Sequence, residues 1–395
     1  MMVTTIGNME RYPAQTKLVW GDIEAVLAAA EEVTISPELY RKLRNGLMEK
    51  MPELVENARK GVREAAEELT SRGLEVLAVE RDEDAQKHIA VGADASYAPM
   101  PIGMGHLAMV ASIALREPRK PEGVKPSGAV EIIYKKADRM TRREFKFLCQ
   151  LKGEALIPAL SVKQLETNGH EDVVCVLLDG PLSASLILRK VPRRRGLRPD
   201  EYRELVSSAH RLIRARDELV KFCHEHGLPV IGVVKRCTSR HFIRWYGLEN
   251  EVPFTDQFVF HQMLNYGERT NAISITKAIE EKLKAPHFSR YQPIYGFYIK
   301  TSRTPITPPV RVEFPAYVLE EWGEDWVATY ALSTALTVYE PEFDGLPRAI
   351  CQAHKRAKVS KRIVSELYKK ALTKEVSRGT DPRLLGTRWG FKPGE

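Results

Sequence analysis

The chain predicts an α/β fold: a mixed sheet of three antiparallel and then two parallel strands, flanked by helices and preceded by an N-terminal helical arm. Three observations predict it. Between residues 87 and 266 the pattern runs strand, strand, strand, helix, strand, helix, strand, helix. Strands joined by short turns pair antiparallel, whereas strands separated by a helix pair parallel through a crossover. Finally, two apolar runs, Ile89 to Asp94 and Val173 to Asp179, each stop on an aspartate followed by small residues, Ala95-Ser96 and Gly180-Pro181.

The elements follow in order. Asp22 to Arg72 is helical in pattern, with one stripe at Ile23, Val26, Leu27 and Ala30. A second stripe at Leu43, Leu47, Met51, Leu54 and Val55 runs on to Val62, Ala65 and Leu69, and Gly73 is the C-cap. Lys87 to Tyr97 reads as a strand, Pro99 to Gly105 as a turn, His106 to Leu115 and Ala129 to Tyr134 as the next strands. Thr141 caps a helix to about Leu160, with Glu144 at the capping-box position. A strand ends on Asp179, Pro199 opens a helix that closes at Gly227, and Pro229 to Lys235 is again a strand. Thr255 starts a helix to about Tyr266, and another helix is expected from Asn271 to about Leu283. Strands at Ile294 to Thr301 and Pro309 to Phe314, a helix from Pro315 and a long helix from Pro347 to Glu375 complete the chain. The expected divisions are a helical arm over 1–86, a catalytic domain over 87–376 and a basic tail over 377–395. No internal repeat is visible.

The 395 residues are 43% hydrophobic and 28% charged, the balance of a soluble globular protein, and no apolar run reaches the ~20 residues of a membrane span. Met1 to Trp20 lacks the layout of a signal peptide. The five cysteines are scattered and form no CxxC pair, which argues against a disulfide framework or zinc knuckle and for a reducing cytoplasm. The net charge is +8, and it is concentrated. Arg348 to Glu395 holds 13 Lys/Arg against 4 acidic residues, and Leu186 to Tyr246 holds 15 against 6. Two basic segments on an otherwise acidic chain suggest contact with a polyanion, nucleic acid first, although solvated helix faces would read the same way.

The chemistry centres on Asp94 and Asp179. Carboxylates at neighbouring strand ends repel unless a cation lies between them. Divalent metal ions in such a place activate water and neutralise a phosphodiester, and hard oxygen ligands suit manganese or magnesium. The element order is that of the ribonuclease-H-like fold, whose carboxylates sit on the first strand, first helix, fourth strand and a late helix. The helix between the two aspartates offers Glu144, on the stripe of Leu148, Leu151 and Ala155, or Glu154 beside Gly153; Glu144 serves equally well as a capping-box residue. Lys235, at a strand rim and followed by Arg236, Arg240 and Arg244, suits a scissile phosphate or is an ordinary surface lysine. Asp256 is a further acid, or a charge complementing a helix dipole. His354, in a basic helix, offers a general acid or metal ligand. Lys235, Arg236, Arg240, Lys355 and Lys358 are the candidate contacts to DNA phosphates. His224 and His226 end a helix with no third ligand nearby. No Gly-Lys-Ser/Thr phosphate loop is present, which excludes NTP hydrolysis of that type.

The segments VGADASY around Asp94, VLLDGPLS around Asp179, VIGVVKR around Lys235 and TDQFVFHQMLNYGERT around Asp256 resemble the NurA nuclease family. VRVEFP and GLPRAICQAHKRAKVSK are similar to that family's C-terminal motifs, so the resemblance spans about residues 88 to 365. It implies a dimeric ribonuclease-H-like core and a manganese-dependent nuclease. The implied activity degrades single-stranded DNA and resects duplex ends from the 5′ side, with a HerA-type hexameric ATPase as partner. The implied metal positions are Asp94, Asp179, Glu144 or Glu154, and His354. Two departures stand out: Asp94-Ala95-Ser96 replaces the family's Asp-Gly-Ser, and Leu346 stands where the family has tyrosine. The second keeps open an alternative, a catalytically impaired DNA-binding or motor-adaptor protein of the same fold.

Overall fold

The computed structural model describes residues 37–102, 105–118, 124–136, 138–183, 197–280, 293–336 and 343–379. The stripe at Ile23 to Ala30, most of the basic stretch Arg189 to Arg198 and the tail beyond Gly379 lie outside the described residues. The chain forms two compact units, Met1–Gly61 and Val62–Glu395. In the first, helix α1 (Pro37–Ser71) carries Leu43, Leu47, Met51, Leu54 and Val55 exposed. In the second, the last turns of α1 bury Val62, Ala65 and Leu69. Gly73 ends the helix at φ +96°, and the Leu74 N–H reaches back to the Leu69 carbonyl at 3.0 Å.

Among the described residues of the second unit, ten strands form one sheet. Strands β1 (Val76–Ala78), β2 (Ile89–Ile102), β3 (Gly105–Glu117), β4 (Ser127–Lys136), β5 (Val173–Asp179) and β6 (Val230–Val234) come first in the chain. Strands β7 (Glu268–Thr270), β8 (Ile273–Ser274), β9 (Ile294–Ile299) and β10 (Val310–Pro315) follow. Spatially the order is β1-β7-β9-β10-β6-β5-β2-β3-β4, with β8 on β9. The segment β4-β3-β2-β5-β6 is the ribonuclease-H-like arrangement: β2, β3 and β4 are antiparallel, and β5 and β6 are parallel to β2. The parallel strands are almost wholly buried, as strands covered on both faces must be. Helices α2 (Arg142–Asn168) and α3 (Pro199–Glu225) make the two crossovers, and they share a core with β3 and β4 built on Phe145, Leu148, Leu205 and Leu212. Each such buried leucine contributes about 1.5–3 kcal/mol of transfer free energy.

Three elements differ from the sequence pattern. Strand β2 runs on through Pro99 and Pro101 to Ile102, and the hairpin closes only there. Neither proline costs a ladder bond, because β5 pairs with β2 only as far as Ala93 and, among the described residues, no strand pairs with that edge of β2 beyond it. The helix expected from Asn271 is instead β8 and a single turn, α6 (Lys277–Glu280); Ile273 and Ser274 pair with Gly296 and Tyr295. The final helix is two, α9 (Arg348–Ala357) and α10 (Lys361–Ser377). The break arises because the Val359 N–H donates to Ser96 Oγ on β2 at 3.2 Å, and Ser360 then caps α10 through the Ile363 N–H. A 3-10 turn at Asp84–Gln86 and the short helices α4 (His241–Trp245), α5 (Asp256–Met263), α7 (Ala316–Glu321) and α8 (Gly323–Ala335) complete the described elements. No helix among the described residues is long and apolar enough to cross a membrane.

Candidate active site

Strands β2 and β5 lie side by side and parallel, with Ala93 opposite Leu178, so Asp94, midway along β2, stands level with Asp179 at the carboxyl end of β5. Helix α9 crosses the same face and delivers His354. Its close approach is made at Gly92, two residues before Asp94 and on the same face of the strand. A Cβ on Gly92 would lie 2.2 Å from the Ala349 carbonyl oxygen. His354 Nδ1 stands 2.7 Å from Asp94 Oδ2 and 3.9 Å from Asp179 Oδ2. Lys235, just past β6, places Nζ 2.5 Å from Asp179 Oδ2. Asp94 also accepts the Ala95 N–H at 2.7 Å. Burial and the nearby Asp94 carboxylate push the Asp179 carboxyl up to about 6, against the lowering effect of Lys235 and His354.

One ligand atom from each of Asp94, Asp179 and His354 lies within 4.8 Å of the others. Two carboxylates and an imidazole at that spacing fit a divalent cation. After Asp179 the backbone turns through Gly180 at φ +131°, a conformation that favours glycine. The Pro181 carbonyl then accepts from Arg216 Nη1 on α3.

The other sequence candidates separate. Glu144 is not brought to the cluster: its carboxylate accepts from the Thr141 N–H and Oγ1, both at 2.8 Å, and closes the capping box. Glu154 lies nearly three turns further along α2, where Arg216 Nη2 holds it at 2.8 Å and Gln150 Nε2 donates at 2.6 Å. Because Arg216 also holds Pro181, Glu154 stands one guanidinium away from the loop that follows Asp179. Asp256 is fully buried elsewhere, accepting the N–H groups of His241, Phe242 and Ile243 at 2.6, 3.2 and 3.1 Å; it caps α4. Arg240 is turned inward onto the carbonyls of Glu249 and Val252, which removes it from a DNA-contacting role. Arg236, Lys355 and Lys358 are exposed, and Lys355 Nζ lies 5.7 Å from the Phe343 ring centroid. Leu346 is buried in the main core, while Phe343 meets the His354 ring edge to face at 5.3 Å. Sequence reasoning missed Arg216, whose partner Glu154 is 62 residues away in the chain.

The NurA domain model matches residues 104–359, well over half of the chain. The chain belongs to the NurA family. The crystal structure of the NurA nuclease from Sulfolobus solfataricus superimposes with a TM-score of 0.58 at 16% identity, over 89% of this chain and 99% of that one. A crystal structure of NurA with manganese gives 0.52 at 12% identity, over 83% and 98% of the two chains. At these identities the likeness is one of fold, and it places this chain's ribonuclease-H-like sheet within the NurA architecture. No curated protein sequence matches the chain.

Proposed function

We propose that this NurA-family chain is a metal-dependent deoxyribonuclease. The observation that carries the reading is the convergence within 4.8 Å of Asp94 on β2, Asp179 at the end of the adjacent parallel strand β5 and His354 on α9. When bound there, a divalent metal neutralises phosphodiester charge and lowers the pKa of a water. Manganese is the expected ion, with magnesium the alternative hard cation. Asp94 and Asp179 supply the oxygen ligands and His354 a nitrogen. We assign Glu154, held by Arg216 near the loop after Asp179, as the further helix carboxylate in preference to Glu144, which closes a capping box. Lys235 keeps Asp179 oriented and carries positive charge toward a scissile phosphate. Arg236, Lys355 and Lys358 extend a basic path for the strand, so binding weakens with salt.

The finer reading follows the family resemblance: 5′-to-3′ exonuclease and single-strand endonuclease activity on single strands and duplex ends, in DNA end resection, by a cytoplasmic homodimer working with a HerA-type hexameric ATPase. In this reading residues 87–376 form the nuclease domain, 1–86 its arm and 377–395 a basic tail. The buried Leu346, which brings no hydroxyl to the site, favours the alternative of an impaired DNA-binding adaptor. One assay separates the two: labelled single-stranded DNA with manganese, with and without chelator. Chelator-sensitive cleavage supports the nuclease; DNA binding without cleavage, with or without the ATPase, sinks it.

A further inference from the structure

The acidic cluster leaves unused two charged side chains in a strand of the sheet that is buried throughout. Every residue of β10 is buried, and Arg311 and Glu313 within it are 3% and 0% exposed. A buried ion pair gives little or no net stability over apolar side chains of the same shape, so its presence calls for another explanation. The bonds of this pair supply one. Arg311 Nε donates to Glu313 Oε1 at 2.9 Å, and its Nη2 lies 2.7 Å from the same oxygen. The other carboxylate oxygen of Glu313 accepts both the N–H and the Oγ of Ser183, each at 2.9 Å. Arg311 Nη1 bonds Ser239 Oγ. Ser183 is the fourth residue after Asp179, and Ser239 the fourth after Lys235. Both ends of the pair therefore terminate on the two loops that carry the Asp179–Lys235 half of the site.

The strand register explains how this is possible. Strand β10 pairs antiparallel with β6, with Arg311 opposite Val234 and Glu313 opposite Gly232. Gly232 has no side chain, and the Gly180 carbonyl lies 2.6 Å from where its Cβ would be, so the loop after Asp179 passes over β6 toward Glu313. An apolar pair would fill the strand as well but would bind neither loop. A carboxylate accepts from a backbone N–H, a hydroxyl and a guanidinium at once.

We propose that the Arg311–Glu313 pair is a positioning device that pins these two loops through Ser183 and Ser239 and so sets the approach of Lys235 to Asp179. The proposal rests on the reading of Asp94, Asp179 and His354 as a metal site. Its test uses the full chain with Ser183→Ala, Ser239→Ala, Glu313→Gln and the Ser183→Ala/Glu313→Gln double variant. Manganese affinity is measured by titration calorimetry, thermal midpoint without metal by circular dichroism, and kcat and KM on single-stranded DNA. The serine variants keep the wild-type midpoint to within about 4 °C and lose roughly 10- to 100-fold in manganese affinity, with kcat falling and KM little changed. The double variant loses no more affinity than Glu313→Gln alone, as expected of groups acting as one unit. Serine variants with wild-type affinity and kcat overturn the proposal while leaving the metal site standing. A wild-type chain that binds no manganese overturns the metal reading and the proposal with it.

Discussion

Asp256 is fully buried and Asp179 largely so, and burial pushes both carboxyls up to about 6. Their surroundings differ in kind. Asp256 is met by three backbone N–H groups of α4, which satisfy it and fix its orientation. Asp179 is met by side chains: a second carboxylate, a histidine and a lysine. The first environment is complete as it stands, and nothing is gained by adding a ligand. The second is a balance of charges that a cation would settle. A displaced pKa therefore marks burial in both regions, and only the nature of the partners distinguishes a structural carboxylate from a chemical one.

Substitution should break the comparison most sharply. Asp94→Ala and Asp179→Asn should each lower manganese-dependent cleavage by at least about 100-fold while leaving the circular dichroism spectrum intact. Asp256→Asn should do the reverse, costing about 1–3 kcal/mol in urea unfolding through an imperfectly matched cap, with specific activity of the folded protein retained.

Protons offer a second handle. The folded-state value of Asp256 lies above its ordinary 3.8, so between that pH and about 6 the folded chain holds a proton that the unfolded chain has lost. Stability contributed by this group thus falls as pH rises through the window, and Asp256→Asn should flatten that part of the curve in denaturant titrations. For Asp179 the same displacement should appear in metal binding. Manganese affinity should climb as pH rises to about 6 with proton release, then level, as followed by calorimetry in buffers of different ionisation enthalpy.

Smaller effects separate the two glutamates of α2. Glu154→Gln should lower manganese affinity about tenfold. Glu144→Ala should leave affinity unchanged and cost the helix start about 1 kcal/mol, read from the thermal midpoint. The smallest expected effects are at the surface. Arg236→Ala and Lys358→Ala should each reduce the salt slope of DNA binding by roughly one if each meets a phosphate. Arg240→Ala should leave that slope alone and lower stability instead.

The sequence made some of this legible for physical reasons. An apolar run that stops on a charge marks a buried strand reaching a rim, and this holds at Asp179 and, just past β6, at Lys235; at Asp94 the strand instead runs on to Ile102, and the pairing with β5 is what brings it beside Asp179. Strand order followed from the alternation of short turns and helices. The rest depended on distance along the chain. Glu313 and Ser183 are 130 residues apart, and no local pattern links them, although two charges alternating in the apolar run Val310 to Pro315 were a usable sign of a buried pair. Strands of two or three residues, β1, β7 and β8, are set by their neighbours rather than by their own propensity. Pro99 and Pro101 suggested a turn because the pattern does not show that, among the described residues, β5 leaves one edge of β2 free of ladder bonds there.

The contact at Gly92 turns ligand spacing into a matter of length. Helix α9 rests on the bare backbone of β2, and His354 stands about 7.5 Å further along the helix than Ala349. Residue 92 contributes no functional group; it acts as a shim whose thickness fixes how far imidazole and carboxylate stand apart. Metal–ligand distances tolerate about 0.2 Å, and a single methyl at this position would demand several times that displacement from the helix.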